Sequence, residues 1–261
     1  MVELEKVRRD APWAWLKGGF EDLKAGAPIS LAYGSAFTLT GLAITIGLFV
    51  MGWGAAIPVL VAGFALIAPA FAVGIYRINQ IREAGETPKL LDFWTIDPGR
   101  ITQLALLSVL MLVFFLTWAR LAQFLFAWLA QGQNLTLGGF VPFLFENPAG
   151  VALLAIGTLI GAVLAFAAFT MAALSFPMLA DQDVDAVTAV VASVKAVKDQ
   201  PFVMINWAWM IAFMIAAGGV LFLVGIAVTF PWVAHATWRA YKDFNPRPRP
   251  SAAEMEARQQ G

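Results

Sequence analysis

The chain has 261 residues, 60% of them hydrophobic and 13% charged, and its seventeen Lys and Arg balance seventeen Asp and Glu. Soluble domains carry about 25% charged residues, so an ordinary soluble fold is excluded, and zero net charge gives no reason to propose a nucleic-acid partner. The absence of cysteine excludes disulfides, thiolate nucleophiles and iron–sulfur ligation.

The first thirty residues, "MVELEKVRRDAPWAWLKGGFEDLKAGAPIS", are charged and lack the apolar core of a signal peptide. The first span is therefore expected to insert as an anchor. Residues 1–29 read as a cytoplasmic amphipathic segment, with Trp13–Lys24 lying along the surface. Long apolar blocks follow, and a run of about 18 or more apolar residues reads as a membrane span. Six spans are predicted, at 30–51, 55–77, 102–125, 150–178, 202–217 and 219–240. The last two form one apolar run, divided at the Gly218-Gly219 pair. The fold class is all-α: a polytopic bundle of three helical hairpins over 30–242, followed by a Pro-rich tail over 243–261 that is expected to be disordered.

Sixteen of the seventeen basic residues fall on one side of this arrangement. They precede span one, lie between spans two and three and between four and five, or follow span six. The turn at Gly52–Gly54 and the 131–149 loop carry none. Enrichment of Lys and Arg in cytoplasmic loops places both termini in the cytoplasm, and a bacterial inner membrane is the expected location.

Three even-numbered spans share a tetrapeptide near their cytoplasmic ends: Pro69-Ala-Phe-Ala72, Pro177-Met-Leu-Ala180 and Pro231-Trp-Val-Ala234. An amphipathic stretch precedes each hairpin, at Trp13–Lys24, Leu90–Trp94 and Val184–Lys198. These features read as three parallel units of surface helix and hairpin. Proline removes a backbone donor and kinks a helix, so Pro69, Pro177 and Pro231 either shape packing or frame a cytoplasm-facing cleft.

The stretch "FPMLADQDVDAV" sets Asp181, Asp183 and Asp185 at alternate positions. A calcium loop needs Gly at its sixth position and Glu at its twelfth; here both are alanine, Ala186 and Ala192. The aspartates are expected instead to mark the water boundary, with Asp183 or Asp185 capping an interfacial helix. On that helix Val187, Val190, Val191, Val194 and Val197 share a face. No Asp, Glu or Lys lies in the six spans, which disfavours a proton-coupled carrier. His235, the only histidine, reads as an interfacial polar tip and cannot supply two axial haem ligands. Arg120, toward the outer end of span three, either pairs with Glu146 or snorkels to the headgroups. The outer loop carries an apolar patch, Phe140 and Phe143–Phe145, and an Asn134-Leu-Thr136 glycosylation match. No catalytic, metal or cofactor residues are predicted.

The blocks "SLAYGSAF", "APAFAVGIYRINQIREAGE" and "FPMLADQDVDAVTAVVASVKAV", with a span ending "TFPWVAHATWRAYKDF", resemble a family of predicted bacterial inner-membrane proteins, domain of unknown function 2189. The resemblance covers roughly residues 13–243. Some members carry a label as cytochrome c oxidase subunits. One histidine excludes a catalytic oxidase subunit, and the resemblance brings no catalytic residues with it. The expected function is non-enzymatic: an accessory or scaffold subunit of a membrane complex, respiratory complexes included, or an envelope-maintenance factor contacting membrane lipids. The alternative is a small-molecule or lipid transporter using the proline-framed cleft.

Overall fold

The computed structural model describes residues 2–131, 137–220 and 224–248, and among these nearly every element is a helix. A short helix α1 (Ala11–Ala25) leads into α2 (Ala27–Val50), and a turn through Gly52, whose φ is +78°, leads into α3 (Ile57–Phe71) and α4 (Val73–Glu83). Then come α5 (Pro98–Leu129), α6 (Leu137–Glu146), α7 (Pro148–Ala172), α8 (Ser175–Asp181), α9 (Ala186–Asp199), α10 (Pro201–Val220) and α11 (Ile226–Phe244). Two long helices begin on the same local signal, a capping side chain followed by proline. Asp97 accepts from the Gly99 amide at 3.0 Å ahead of Pro98, and Asn147 from the Ala149 amide at 2.9 Å ahead of Pro148. Such a cap satisfies one orphan amide while proline pre-sets the first helical φ.

Five helices are long and apolar enough to cross a membrane: Ala27–Val50, Ile57–Glu83, Pro98–Leu129, Pro148–Asp181 and Pro201–Val220. They make an all-α, multi-pass membrane bundle. The sixth predicted span is α11, whose last six residues include Arg239, Lys242 and Asp243. The turn expected at Gly218-Gly219 is displaced, because both glycines lie inside α10. Gly218 instead lets Gly225 and Thr229 approach, so the chain reverses beyond Val220. This third hairpin is also short. Phe230 stacks on Phe37 of α2 at 4.7 Å, so Ile226 stands level with about Gly41. At 1.5 Å per residue, α2 continues roughly 14 Å further, to Val50.

Helices break near two of the three prolines. The second span divides at Ala72, after Pro69, and the fourth at Ala173-Leu174, before Pro177. Side chains take up backbone groups at both breaks: Tyr33 donates to the Phe71 carbonyl at 2.5 Å, and the Leu174 amide donates to Ser193 Oγ at 3.1 Å. Pro231 sits inside an unbroken helix. The segments beyond the three prolines (α4, α8 and the second half of α11) pack on one another at the end of the bundle that bears the basic residues. Here lies the core: Trp15, Tyr76, Phe176, Leu174, Trp207, Trp238, Tyr241 and Phe244 are all buried. The spans beyond leave large apolar side chains exposed, such as Ile46, Val109, Leu159 and Phe213, as lipid-facing surfaces require.

Three further expectations change. Leu90–Trp94 forms no surface helix, only a single 3-10 turn at Asp92–Trp94. In α9 the buried face is Ala189, Ala192, Ser193, Ala196 and Val197, Val190 is half-buried, and Val187, Val191 and Val194 point outward. Small residues let α9 lie close against α7 and α8, and the outward valines remain for an apolar exterior. The tail is ordered as far as Pro248: α11 reaches Phe244, Asn245 caps it at φ +38°, and Arg247–Pro248 pair antiparallel with Val2–Glu3. Residues 249–261 and the Asn134-Leu-Thr136 match lie outside the described residues.

Candidate functional site

Most of the buried polar residues gather at the basic end. His235 is not an interfacial tip but wholly buried. Its Nδ1 lies 2.8 Å from Asn79 Oδ1, and its Nε2 lies 2.9 Å from Ser30 Oγ. An amide oxygen only accepts, so Nδ1 carries the proton and Nε2 accepts from the Ser30 hydroxyl. The imidazole thereby ties α2, α4 and α11 through one side chain. Serine, imidazole and amide stand in the order of a hydrolase triad, but Ser30 and His235 have no exposed surface and Asn79 is 4% exposed. None of the three lines the open cleft between α4, α5 and α8 or the one beside Glu5 and Lys195. Asn79 Nδ2 is buried without a partner.

A second layer is ionic. Asp22 of α1 accepts from Arg239 twice, at 2.5 and 3.0 Å, and lies 3.7 Å from Arg82 of α4. A bidentate guanidinium–carboxylate pair fixes orientation as well as charge. Gly19 faces Ala236 so closely that a Cβ there would come within 2.6 Å of the Ala236 backbone nitrogen; this close approach brings Asp22 to Arg239. Nearby, Lys242 bridges Glu83 at 3.2 Å and Asp181 at 3.3 Å. Trp238 donates to Glu83 and Trp15 to Asp243, each at 2.6 Å.

The three aspartates separate. Asp181 accepts from the Tyr241 hydroxyl at 2.6 Å. Asp183 is exposed. Asp185 caps α9, accepting from the Thr188 amide at 2.8 Å and hydroxyl at 2.6 Å. Those hydrogen bonds, the hydroxyl's first, hold the Asp185 carboxyl below the ordinary carboxylate range. Among the described residues no three of His, Asp and Glu converge as metal ligands. At the far end, Arg120 and Glu146 are both exposed and form no ion pair with each other; among the described residues Arg120 hydrogen-bonds Gln123, at 3.4 Å.

One open cleft, of about 370 Å³, lies where α4, α8 and the start of α5 meet. Arg77 and Arg100 reach into it, with Gln80, Thr95, Asp97 and Ala180 around them. Pro69, Pro177 and Pro231 do not line it, although it sits among segments that follow the first two. Sequence reasoning missed Ser30, Asn79, Asp22 and both of these arginines. A usable signal was present: His235 and Arg239 are spaced i, i+4, one helix face, and that face needed polar partners.

A family model described as "Predicted integral membrane protein (DUF2189)" matches residues 56–181. That segment runs from the start of the second span through the break at Ala173-Leu174 to the end of α8, and it includes Arg77 and Arg100. No curated protein and no solved structure matches the chain.

Proposed function

We propose, for a chain whose residues 56–181 belong to the family of predicted integral membrane proteins DUF2189, that it is a non-catalytic scaffold of a bacterial inner membrane, with both termini in the cytoplasm. It serves as an accessory subunit of a membrane complex or as an envelope-maintenance factor. One observation carries this reading: the buried and half-buried acid and base groups at the centre of the basic end are spent on one another. Asp22 serves two arginines, His235 serves Ser30 and Asn79, and Asp181 serves Tyr241 and Lys242. Such satisfied networks rigidify a packed region. The result is a stiff foot from which apolar hairpins rise with their flanks open, the form of an element that packs against another membrane component.

Affinity purification of the tagged full-length chain from native membranes in mild detergent tests this. A membrane-protein partner at constant stoichiometry, retained through size exclusion, supports the scaffold role. A solitary chain that drives uptake of a small solute into liposomes would replace it with transport.

A further inference from the structure

We infer that the cleft between α4, α5 and α8 is a binding site for the phosphodiester of an anionic phospholipid, held by Arg77 and Arg100. The depth of the two arginines argues for this first. At the far end, Trp118 Nε1 of α5 donates to the Val59 carbonyl of α3 at 2.9 Å, so these two residues are level. Counting eighteen residues toward the basic end reaches Arg77 along α3 and α4, and Arg100 along α5. Along the unbroken α5, eighteen residues span about 27 Å, close to the roughly 30 Å of a hydrocarbon core; the α3–α4 path breaks at Ala72, but Arg77 lines the same cleft as Arg100. Both guanidiniums therefore sit at the same level, where a headgroup lies.

The charge argument is independent. Arg239 and Arg82 share Asp22. Among the described residues Arg77 instead meets neutral oxygens at the limit of hydrogen bonding, Thr95 Oγ1 and Gln80 Oε1, each at 3.4 Å. Arg100 donates to the Ala180 carbonyl and lies 3.7 Å from Asp97, which is more than half exposed. Two guanidiniums against one loosely paired carboxylate leave the cleft with a net positive charge. Its volume, about 370 Å³, falls within the roughly 300–1,000 Å³ of small-molecule sites. Arginine suits a phosphate because its planar fork donates two bonds at once, and basic pockets between membrane helices take lipid headgroups.

The surroundings favour a lipid over free phosphate. Val73 and Ile96 form apolar walls of the cleft. Phe71 and Ile101, next along the two spans, are exposed and offer a track for acyl chains toward the bilayer centre. Leu90 and Leu91, in the loop from α4 to α5, are also exposed. This site does not depend on the scaffold reading, and a failed lipid titration leaves the partner purification to be judged separately.

The test is a thermal melt of the detergent-solubilised full chain, followed by tryptophan fluorescence. It is titrated with dioleoylphosphatidylglycerol, with dioleoylphosphatidylcholine and with inorganic phosphate. Phosphatidylglycerol should stabilise the chain saturably, and phosphatidylcholine should not. Arg77→Gln should raise the half-saturating phosphatidylglycerol concentration about tenfold, the loss of one charge-assisted contact. Lys198→Gln, which removes an exposed charge at the basic end, should leave it unchanged. If Arg77→Gln fails to fold, Thr95→Val carries the same test with a smaller shift. A wild-type titration curve in Arg77→Gln would overturn the site, as would an equal loss in Lys198→Gln. Full stabilisation by inorganic phosphate, with phosphatidylglycerol no better than phosphatidylcholine, would overturn the lipid assignment.

Discussion

Asp185 holds the start of α9 by taking both donors of Thr188, and those bonds favour its ionised form. Its carboxyl titrates lower in the folded chain than its ordinary value of 3.8. A depressed carboxylate contributes stability above the unfolded value and loses it as pH falls through the folded one. Asp185→Ala should therefore cost about 1 kcal/mol at neutral pH, the usual loss of a helix cap. The gap from wild type should begin to narrow below about pH 4 and keep narrowing as pH falls further. Melts of both proteins at pH 7 and pH 3 check this, and an undiminished gap at pH 3 would contradict it. This cap was legible to within two residues: an acidic residue ahead of an apolar helical run left Asp183 and Asp185 open, and the bonds to Thr188 select Asp185. His235 was not. A lone histidine near a span end has the pattern of a surface residue, and only the arrival of Ser30 and Asn79 from distant segments makes burial affordable. Burial of an imidazole requires partners for both nitrogens, and partners 205 and 156 residues away in sequence leave no local trace.

At the scale of elements, apolar length located the helices well and their depth poorly. The first two hairpins follow the predicted spans closely because hydropathy is all that a lipid-facing helix needs. In the third, α10 is long and apolar enough to cross while α11 is not; the two look alike in sequence because an apolar run reads the same whether lipid or protein surrounds it. Much of α11 is apolar yet buried against α1, α2, α4 and α10, and Trp207 of α10 meets Trp15 of α1 at 5.6 Å. The first turns of α10 therefore stand at the basic end, and the hairpin stops short of the level that α2 reaches. The same ambiguity turned α9, where Val187, Val191 and Val194 face outward while alanines and Val197 pack inward. In this chain, which is naturally free of cysteine, a Val224→Cys variant in sealed vesicles should resist a membrane-impermeant maleimide from either side. Labelling from the side opposite the termini, as fast as at the loop near Met51, would show that the third hairpin crosses the bilayer.

For the whole molecule, the distribution of charge sets the design. Polar and ionic side chains concentrate at one end and tie α1, α2, α4, α8, α9 and α11 into a packed foot. The spans that rise from it carry apolar flanks, and the far end closes with Gly52, α6 and few charges. The clustering of basic residues foretold this polarity because each connection between hairpins had to lie in water. It could not foretell which charges would be neutralised, since Asp22–Arg239 and Arg77–Thr95 depend on how the foot packs. The most direct test places single cysteines at Met51 and Phe145, both exposed at the far end, and at Glu86 and Asp183, both exposed at the basic end. An impermeant thiol reagent is then applied to sealed vesicles of known orientation. The account predicts that Met51→Cys and Phe145→Cys react from one side while Glu86→Cys and Asp183→Cys react only from the other. Labelling of all four from the same side would contradict it.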